Sequence, residues 1–314
     1  MKASIEKIAN LIMSNLHNTL ALGLFNGKMG LAIFLYQYAN YSGRESYEEV
    51  ADELIDEIYE KINKNMLPDL FNGLSGVGMG LKFLLQKQYL NGNLDEVLSE
   101  VDELLLKDPI TSLRKEGNLP NPIYSAGIYL LSRILFSHSE HNNKWIDNII
   151  QAGFSFVEEN EKNDQFHFQL SFLNSLLFVY SSLYDKQAKQ NTKIKNFINK
   201  LFDISQQTIV DERFEILDLL LFKQLSLKFP KTMSNQYRDL CLQVDSLIKN
   251  VQIDIELWHS LLWWQFIYGL KSECQFSDKE IEEYVDKLLS DYSFELTSIN
   301  GQMASLGFYL IDRR

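Results

Sequence analysis

The sequence predicts an all-α protein, an α/α toroid in which seven inner and seven outer helices form a double-layered barrel. Two observations carry this. Helices with one apolar face alternate, seven times, with helices that are apolar on most of their surface. A glycine-rich helix start, Gly23-Leu-Phe-Asn-Gly-Lys-Met-Gly30, returns as Leu70-Phe-Asn-Gly-Leu-Ser-Gly76, and more weakly at Tyr124-Ser-Ala-Gly127 and Ile299-Asn-Gly-Gln-Met-Ala304. A one-faced helix belongs at a surface and a helix apolar all round belongs inside. The apolar members recur every roughly 42–51 residues, the period of stacked helical hairpins. An open solenoid would leave both helices of each hairpin partly exposed and would need polar end caps. Seven buried helices within seven amphipathic ones suit a closed ring. With no linker or shift in composition, residues 1–314 read as a single domain.

Each element follows from its apolar spacing. Residues 4–18 place Ile5, Ile8, Ile12 and Leu16 on one face. The first glycine start opens an apolar helix to about Asn40. Residues 46–63 are amphipathic, with Val50, Leu54 and Ile58 opposite Glu48, Glu49, Asp52, Glu53, Glu57 and Glu60. The second glycine start opens a helix to about Tyr89, and residues 94–106 form the next one-faced helix. A proline-bearing loop precedes the apolar stretch 123–136. Trp145, Ile149, Phe156 and Val157 mark an outer helix, and 170–184 an inner one. The stripe from Ile194 to Phe202, the apolar run 214–227 and the stripe from Tyr237 to Ile248 continue the pattern. The run 257–270, the stripe from Ile281 to Leu289 and the stretch 299–311 close it.

Composition narrows the function classes. Hydrophobic residues make up 46% of the 314, enough for a sizeable core. The formal charge of −12 argues against a nucleic-acid partner, because polyanion binding needs a basic face to displace counterions. An acidic surface is compatible with a basic peptide partner as well as with plain solubility. Two cysteines, Cys241 and Cys274, make no disulfide framework. The first residues read as an amphipathic helix without a signal-peptide apolar region. No apolar stretch reaches the length of a membrane span; the most apolar, 257–270, carries His259 and Gln265. A cytoplasmic location is the expectation.

The glycines have a packing reason. Asn26 and Asn72 are suited to cap the two helices. Gly27 and Gly30, like Gly73 and Gly76, lie three apart and so share a helical face. Without Cβ atoms they let inner helices crowd at the narrow end of a ring, at about 1 kcal/mol per interior glycine relative to alanine. The alternative is that these helix starts offer backbone N–H groups to an anion. No Gly-Lys-Ser/Thr phosphate loop follows a strand.

These starts, above all Gly23 to Gly30 and Gly73-Leu-Ser-Gly-Val-Gly78, resemble those of the lanthionine synthetase C-like proteins. The resemblance implies a ring of seven inner and seven outer helices. It also implies a zinc enzyme of ribosomal peptide maturation, one that adds a peptide's cysteine thiol across a dehydrated serine or threonine to close a thioether ring. Zinc would hold the thiol as thiolate. The family's ligands are a Cys at the fifth inner-helix start and an adjacent Cys-His, followed by Gly, at the sixth. Here the sixth start reads Leu257-Trp-His-Ser260, so His259 matches, while Trp258 and Ser260 replace the Cys and the Gly. The fifth start, Arg213-Phe-Glu-Ile216, contains no Cys, and the Ala-His-Gly pattern of the fourth is missing, with His167 nearby in another context. No catalytic residue is assigned, and no cofactor is expected, although zinc stays open.

The remaining candidates are weighed on their own chemistry. Trp258 and His259, with Glu212 and Arg213 at the fifth start, are the candidate binding residues at the mouth of the ring. His259 also reads as an interior, hydrogen-bonded histidine, and Trp258, Trp263, Trp264 and Phe266 as core packing. Glu212 and Glu215 suit a solvated helix start, or a carboxylate pair as in toroidal glycosidases. Cys241 reads as a small hydrophobe on an outer helix and Cys274 as incidental. His138 and His141 lie in a polar loop. Three functions are therefore compared: a zinc-free binding or scaffold member that holds a precursor peptide or a peptide-modifying enzyme, an active thioether-forming cyclase with an atypical site, and a toroid acting on a carbohydrate.

Overall fold

The computed structural model describes residues 2–107, 123–136, 142–163, 166–184, 191–227, 235–270, 276–290 and 296–312. These residues form fifteen α-helices and no strand, so the all-α prediction holds. In chain order the helices are α1 (Lys2–Asn15), α2 (Lys28–Ser42), α3 (Ser46–Lys61), α4 (Leu74–Gln86), α5 (Leu94–Val97), α6 (Ser99–Leu106), α7 (Ser125–Phe136) and α8 (Asn142–Asn160). They continue with α9 (Leu170–Tyr184), α10 (Asn191–Val210), α11 (Ile216–Ser226), α12 (Asn235–Ile248), α13 (Ile255–Tyr268), α14 (Asp278–Ser290) and α15 (Leu296–Asp312). Two expected elements differ in detail. The expected helix 4–18 ends at Asn15 and tightens into a 3-10 turn over Leu16–Asn18, and the expected helix 94–106 is broken at Leu98 into α5 and α6. Among the described residues, no helix is long and apolar enough to cross a membrane.

The chain packs as two compact units, Met1–Val101 with Ile253–Arg314, and Asp102–Gln252. In the first unit α2 lies between α3 and α15, and α1 packs on α15. The sequence contrast explains which helices go inside. In α2 the apolar residues fall on every side, and nearly all of it is buried; in α3 only Tyr47, Ala51, Leu54, Ile55 and Ile58 are buried. The acidic first turn of α3 and its terminal Lys61 both complement the helix dipole. Gly43 ends α2 in the left-handed region, where its N–H reaches the Ala39 carbonyl at 2.8 Å.

Between α2 and α3, Lys28 and Tyr36 find carboxylate partners. Lys28, the first residue of α2 and buried, forms an ion pair with Glu57, which Lys61 also contacts. Its bond to Lys28 first, and that to Lys61 next, hold the Glu57 carboxyl below the usual carboxylate range. The Tyr36 hydroxyl donates to Asp52.

In the second unit α9 is the buried helix, packed on α7, α10 and α11. A buried ion pair joins α6 to α7. Arg133 reaches Asp102 through Nη2 at 2.8 Å and through Nε at 3.1 Å, and the Tyr129 hydroxyl donates to the same carboxylate at 2.6 Å. Burial first, then the Asp102 charge, raises the Tyr129 phenol well above its ordinary range. On the other side of α9, the Tyr180 hydroxyl donates to the Ile149 carbonyl at 2.7 Å, and its ring packs on Phe197.

Candidate functional site

The two best glycine starts are built alike. Extended backbone at Gly27 and Gly73 takes the N-cap position of α2 and α4, and neither helix has a side-chain cap. The expected caps Asn26 and Asn72 are therefore not caps. The orphan N–H groups bond instead to carbonyls seven residues back. Lys28 donates to Ala21 at 3.0 Å and Met29 to Leu22 at 3.2 Å, while Leu74 donates to Leu67 at 2.9 Å and Ser75 to Pro68 at 3.4 Å. Each loop thus folds over its own helix start and occupies donors that an anion would need. Close packing, the first reading of the glycines, is what the geometry supports.

The starts are also tied to one another. Leu24 donates to the Leu70 carbonyl at 3.0 Å and Asn26 to that of Phe71 at 3.1 Å. A Cβ at Gly76 would lie 2.3 Å from the Leu70 oxygen and 2.5 Å from the Leu24 nitrogen, so the glycine makes room for backbone from both loops. The seventh start joins the same assembly, since a Cβ at Gly301 would lie 1.8 Å from the Phe25 oxygen. In the second unit the Tyr124 N–H donates to the Ser175 hydroxyl at 2.7 Å, linking the third start to the fourth. The buried Asp69 accepts the Asn72 N–H at 2.8 Å, and burial raises its carboxyl pKa against the pull of backbone N–H groups.

At the sixth start, Asp254 accepts the Leu257 N–H at 2.8 Å and opens α13. Trp258 and His259 follow in the first turns and are interior, 2% and 4% exposed. The Trp258 ring packs on Phe276 and Tyr309, with centroids 5.6 and 5.0 Å away. The His259 ring lies between α14 and α15: Nδ1 is 3.0 Å from the Tyr284 hydroxyl and Nε2 is 3.2 Å from the Ser305 hydroxyl. A neutral imidazole has one donor and one acceptor nitrogen, and two hydroxyls satisfy both. Farther along α13, Trp263 donates to the Gly301 carbonyl at 3.1 Å and, with Trp264, packs on Phe25. The expected core role of these tryptophans is met, with Trp264 and Phe266 keeping part of their surface exposed.

The zinc implied by the resemblance can be tested against these donors. A catalytic zinc needs three protein ligands and an open fourth position. At the sixth start the indole of Trp258 replaces a thiolate and has no acceptor to offer. The His259 nitrogens already face hydroxyls. The donor set at α13 does not fit the metal.

The fifth start belongs to the second unit. Glu212 is exposed in the left-handed region at φ 57°, and Arg213 pairs with Asp211 at 3.2 Å. The Arg213 carbonyl accepts the Leu170 N–H at 3.4 Å, which ties this turn to the start of α9. Asp218, which the sequence reading passed over, is buried and accepts the Glu215 N–H at 3.0 Å. The signal for it was present as an acidic residue three positions after the N-cap, the spacing of a capping box.

Burial raises the Asp218 carboxyl from 3.8 to about 6. The folded protein therefore binds a proton that the unfolded chain releases between these values. This group favours folding most below pH 4, and its contribution falls as the pH rises from about 4 through 6. Asp218→Asn is expected to flatten that slope and to raise stability at pH 7.5 by up to about 3 kcal/mol. Urea midpoints at pH 4.5 and 7.5 measure it; an equal pH slope in both proteins would contradict the assignment.

The other candidates stand apart from these features. Cys241 is a free thiol, half-buried, and burial pushes its pKa up. That is the environment of a packing residue and not of a nucleophile. His167 is exposed. Cys274, His138 and His141 lie outside the described residues.

Comparison with known proteins adds one match. Residues 1–126 match the model of the family described as lanthionine synthetase C-like protein, which includes the first and second helix starts and ends within the third. No curated protein and no solved structure gives a match. The family recognised in the glycine starts is the one found, over 126 of the 314 residues.

Proposed function

We propose that this chain, a lanthionine synthetase C-like protein over its matched residues, is a zinc-free, catalytically degenerate binding or scaffold member. In this reading it holds a precursor peptide, or the enzyme that modifies one, in ribosomal peptide maturation. One observation carries the reading beyond family membership. The only matched ligand position, His259, is interior, with each ring nitrogen within hydrogen-bond reach of a hydroxyl. Such a histidine holds α13 against α14 and α15, and Trp258 fills space beside it. Glu212 and Arg213 are the candidate residues with accessible charge, at a turn anchored to α9.

Two measurements test the proposal. Protein purified without chelator is expected to carry well under one zinc per chain, and His259→Gln to leave that content unchanged; one zinc per chain, lost in the variant, would overturn the zinc-free reading. A dehydrated, cysteine-bearing peptide is expected to bind and to keep a free thiol on incubation, read by alkylation and mass. Thioether closure would favour the cyclase reading instead.

A further inference from the structure

The first unit carries an apolar groove of about 470 Å³ between the loop before α2 and the loop after α3. Its apolar lining is Leu20, Leu22, Ile62, Met66 and Leu67. Among the described residues of this unit, the large hydrophobics left exposed are Leu20 at 80%, Leu67 at 43% and Tyr59 at 40%. Two of the three line this groove, and the third precedes Glu60, which also lines it. Isolated exposed leucines need no explanation, whereas two of these three side chains lie together on one concave face.

The walls are held by the bonds that satisfy the helix starts. The Ala21 and Leu22 carbonyls accept from Lys28 and Met29, and the Leu67 carbonyl accepts from Leu74. Asn63 accepts the Asn65 N–H at 2.9 Å and shapes the turn between them. A groove preformed in this way spends little binding energy on ordering itself.

Charge identifies the occupant: Glu60 and Lys61 both line the groove, but Lys61 is engaged by Glu57. Glu49, Glu53, Asp56 and Glu60 are exposed and, at spacings of four, three and four, form one ridge along α3 that ends at the groove. The whole chain carries a formal charge of −12. We infer that the groove docks a basic amphipathic peptide segment of another chain, with leucine-like side chains between Leu20 and Leu67 and lysines or arginines along the α3 ridge. This rests on the peptide-binding reading above and gives that peptide its chemistry and its place.

The test uses the full chain and a fluorescein-labelled helical peptide of about 18 residues, with leucines on one face and lysines on the other. Its twin carries glutamate for every lysine. Anisotropy is expected to show saturable, salt-sensitive binding of the lysine peptide and at least tenfold weaker binding of the twin. Leu20→Asp, Leu67→Asp and Glu60→Lys are each expected to weaken the lysine peptide about tenfold. Leu242→Asp, an exposed site in the other unit, should leave it unchanged. Equal binding by all variants, equal binding of the twin, or sedimentation showing that wild type self-associates through Leu20 and Leu67 overturns the inference. The dehydrated peptide is titrated in parallel. If it binds wild type and the groove variants alike, the groove assignment fails and the peptide-binding reading stands. If neither peptide binds wild type, the reading fails with it.

Discussion

Gly76→Ala is expected to destabilise the protein by about 3 kcal/mol or more, although alanine is the better helix former. Propensity alone favours alanine inside α4 by about 1 kcal/mol. Against that stands the Cβ, which would meet the Leu70 oxygen at 2.3 Å, the Leu24 nitrogen at 2.5 Å and the Gly23 Cα at 3.1 Å. All three are backbone atoms and cannot swing aside as a side chain would. Relief requires the two glycine loops to part, breaking the 3.0 Å bond from Leu24 to Leu70 and its 3.1 Å neighbour from Asn26 to Phe71. Overpacking of a tight site costs about 1–3 kcal/mol, and losing these bonds adds to it. Gly43→Ala is the control: a Cβ there meets nothing within 4 Å, and only the left-handed φ of 69° opposes it. That substitution should cost about 1 kcal/mol. Urea unfolding followed by far-UV circular dichroism compares them, and equal losses would show that crowding between the loops does not decide the effect.

Asp102→Ala is expected to cost about 3–5 kcal/mol, the penalty for taking the carboxylate from a buried guanidinium. Arg133 is 1% exposed, and its Nη2 and Nε both lie within 3.1 Å of one Asp102 oxygen. Tyr129 would lose the acceptor of its hydroxyl at the same time. The guanidinium also lies 5.9 Å from the Trp145 ring centroid, which compensates only in part. Removing both charges is a different experiment. Asp102→Leu combined with Arg133→Met should recover to within about 2 kcal/mol of wild type, because an apolar pair of similar volume needs no desolvation. A double-mutant cycle on urea midpoints measures the coupling. If the double variant lost as much as the two single variants together, the pair would be two independent contacts.

The helices were legible because apolar spacing reports burial directly. The inner run 170–184 coincides with α9, and of the α3 stripe Leu54 and Ile58 are buried while Val50 is half-buried. The caps were misread because an Asn before a glycine is compatible with two solutions. The side chain can cap, or the loop can fold back so that its own carbonyls do. Carbonyls seven residues back leave no trace in residue type. His259 was recognised as a position, but the two hydroxyls that occupy it come from residues 25 and 46 positions away. Leu20 and Leu67 each look like ordinary loop leucines, and only the fold places them on one groove.

The alternation of one-faced and wholly apolar helices, the glycine starts, the absence of cysteine from residues 213–216 and 257–260 and the acidic ridge of α3 were determined by the sequence itself. Each depends on residue type and local spacing. The way the starts lock to one another, the pairing of His259 with Tyr284 and Ser305, the buried Asp102–Arg133 pair and the groove beside α3 were decided by tertiary structure. Each joins side chains or carbonyls from separate segments, and hydrogen bonds and packing act on distance in space, which residue order does not encode.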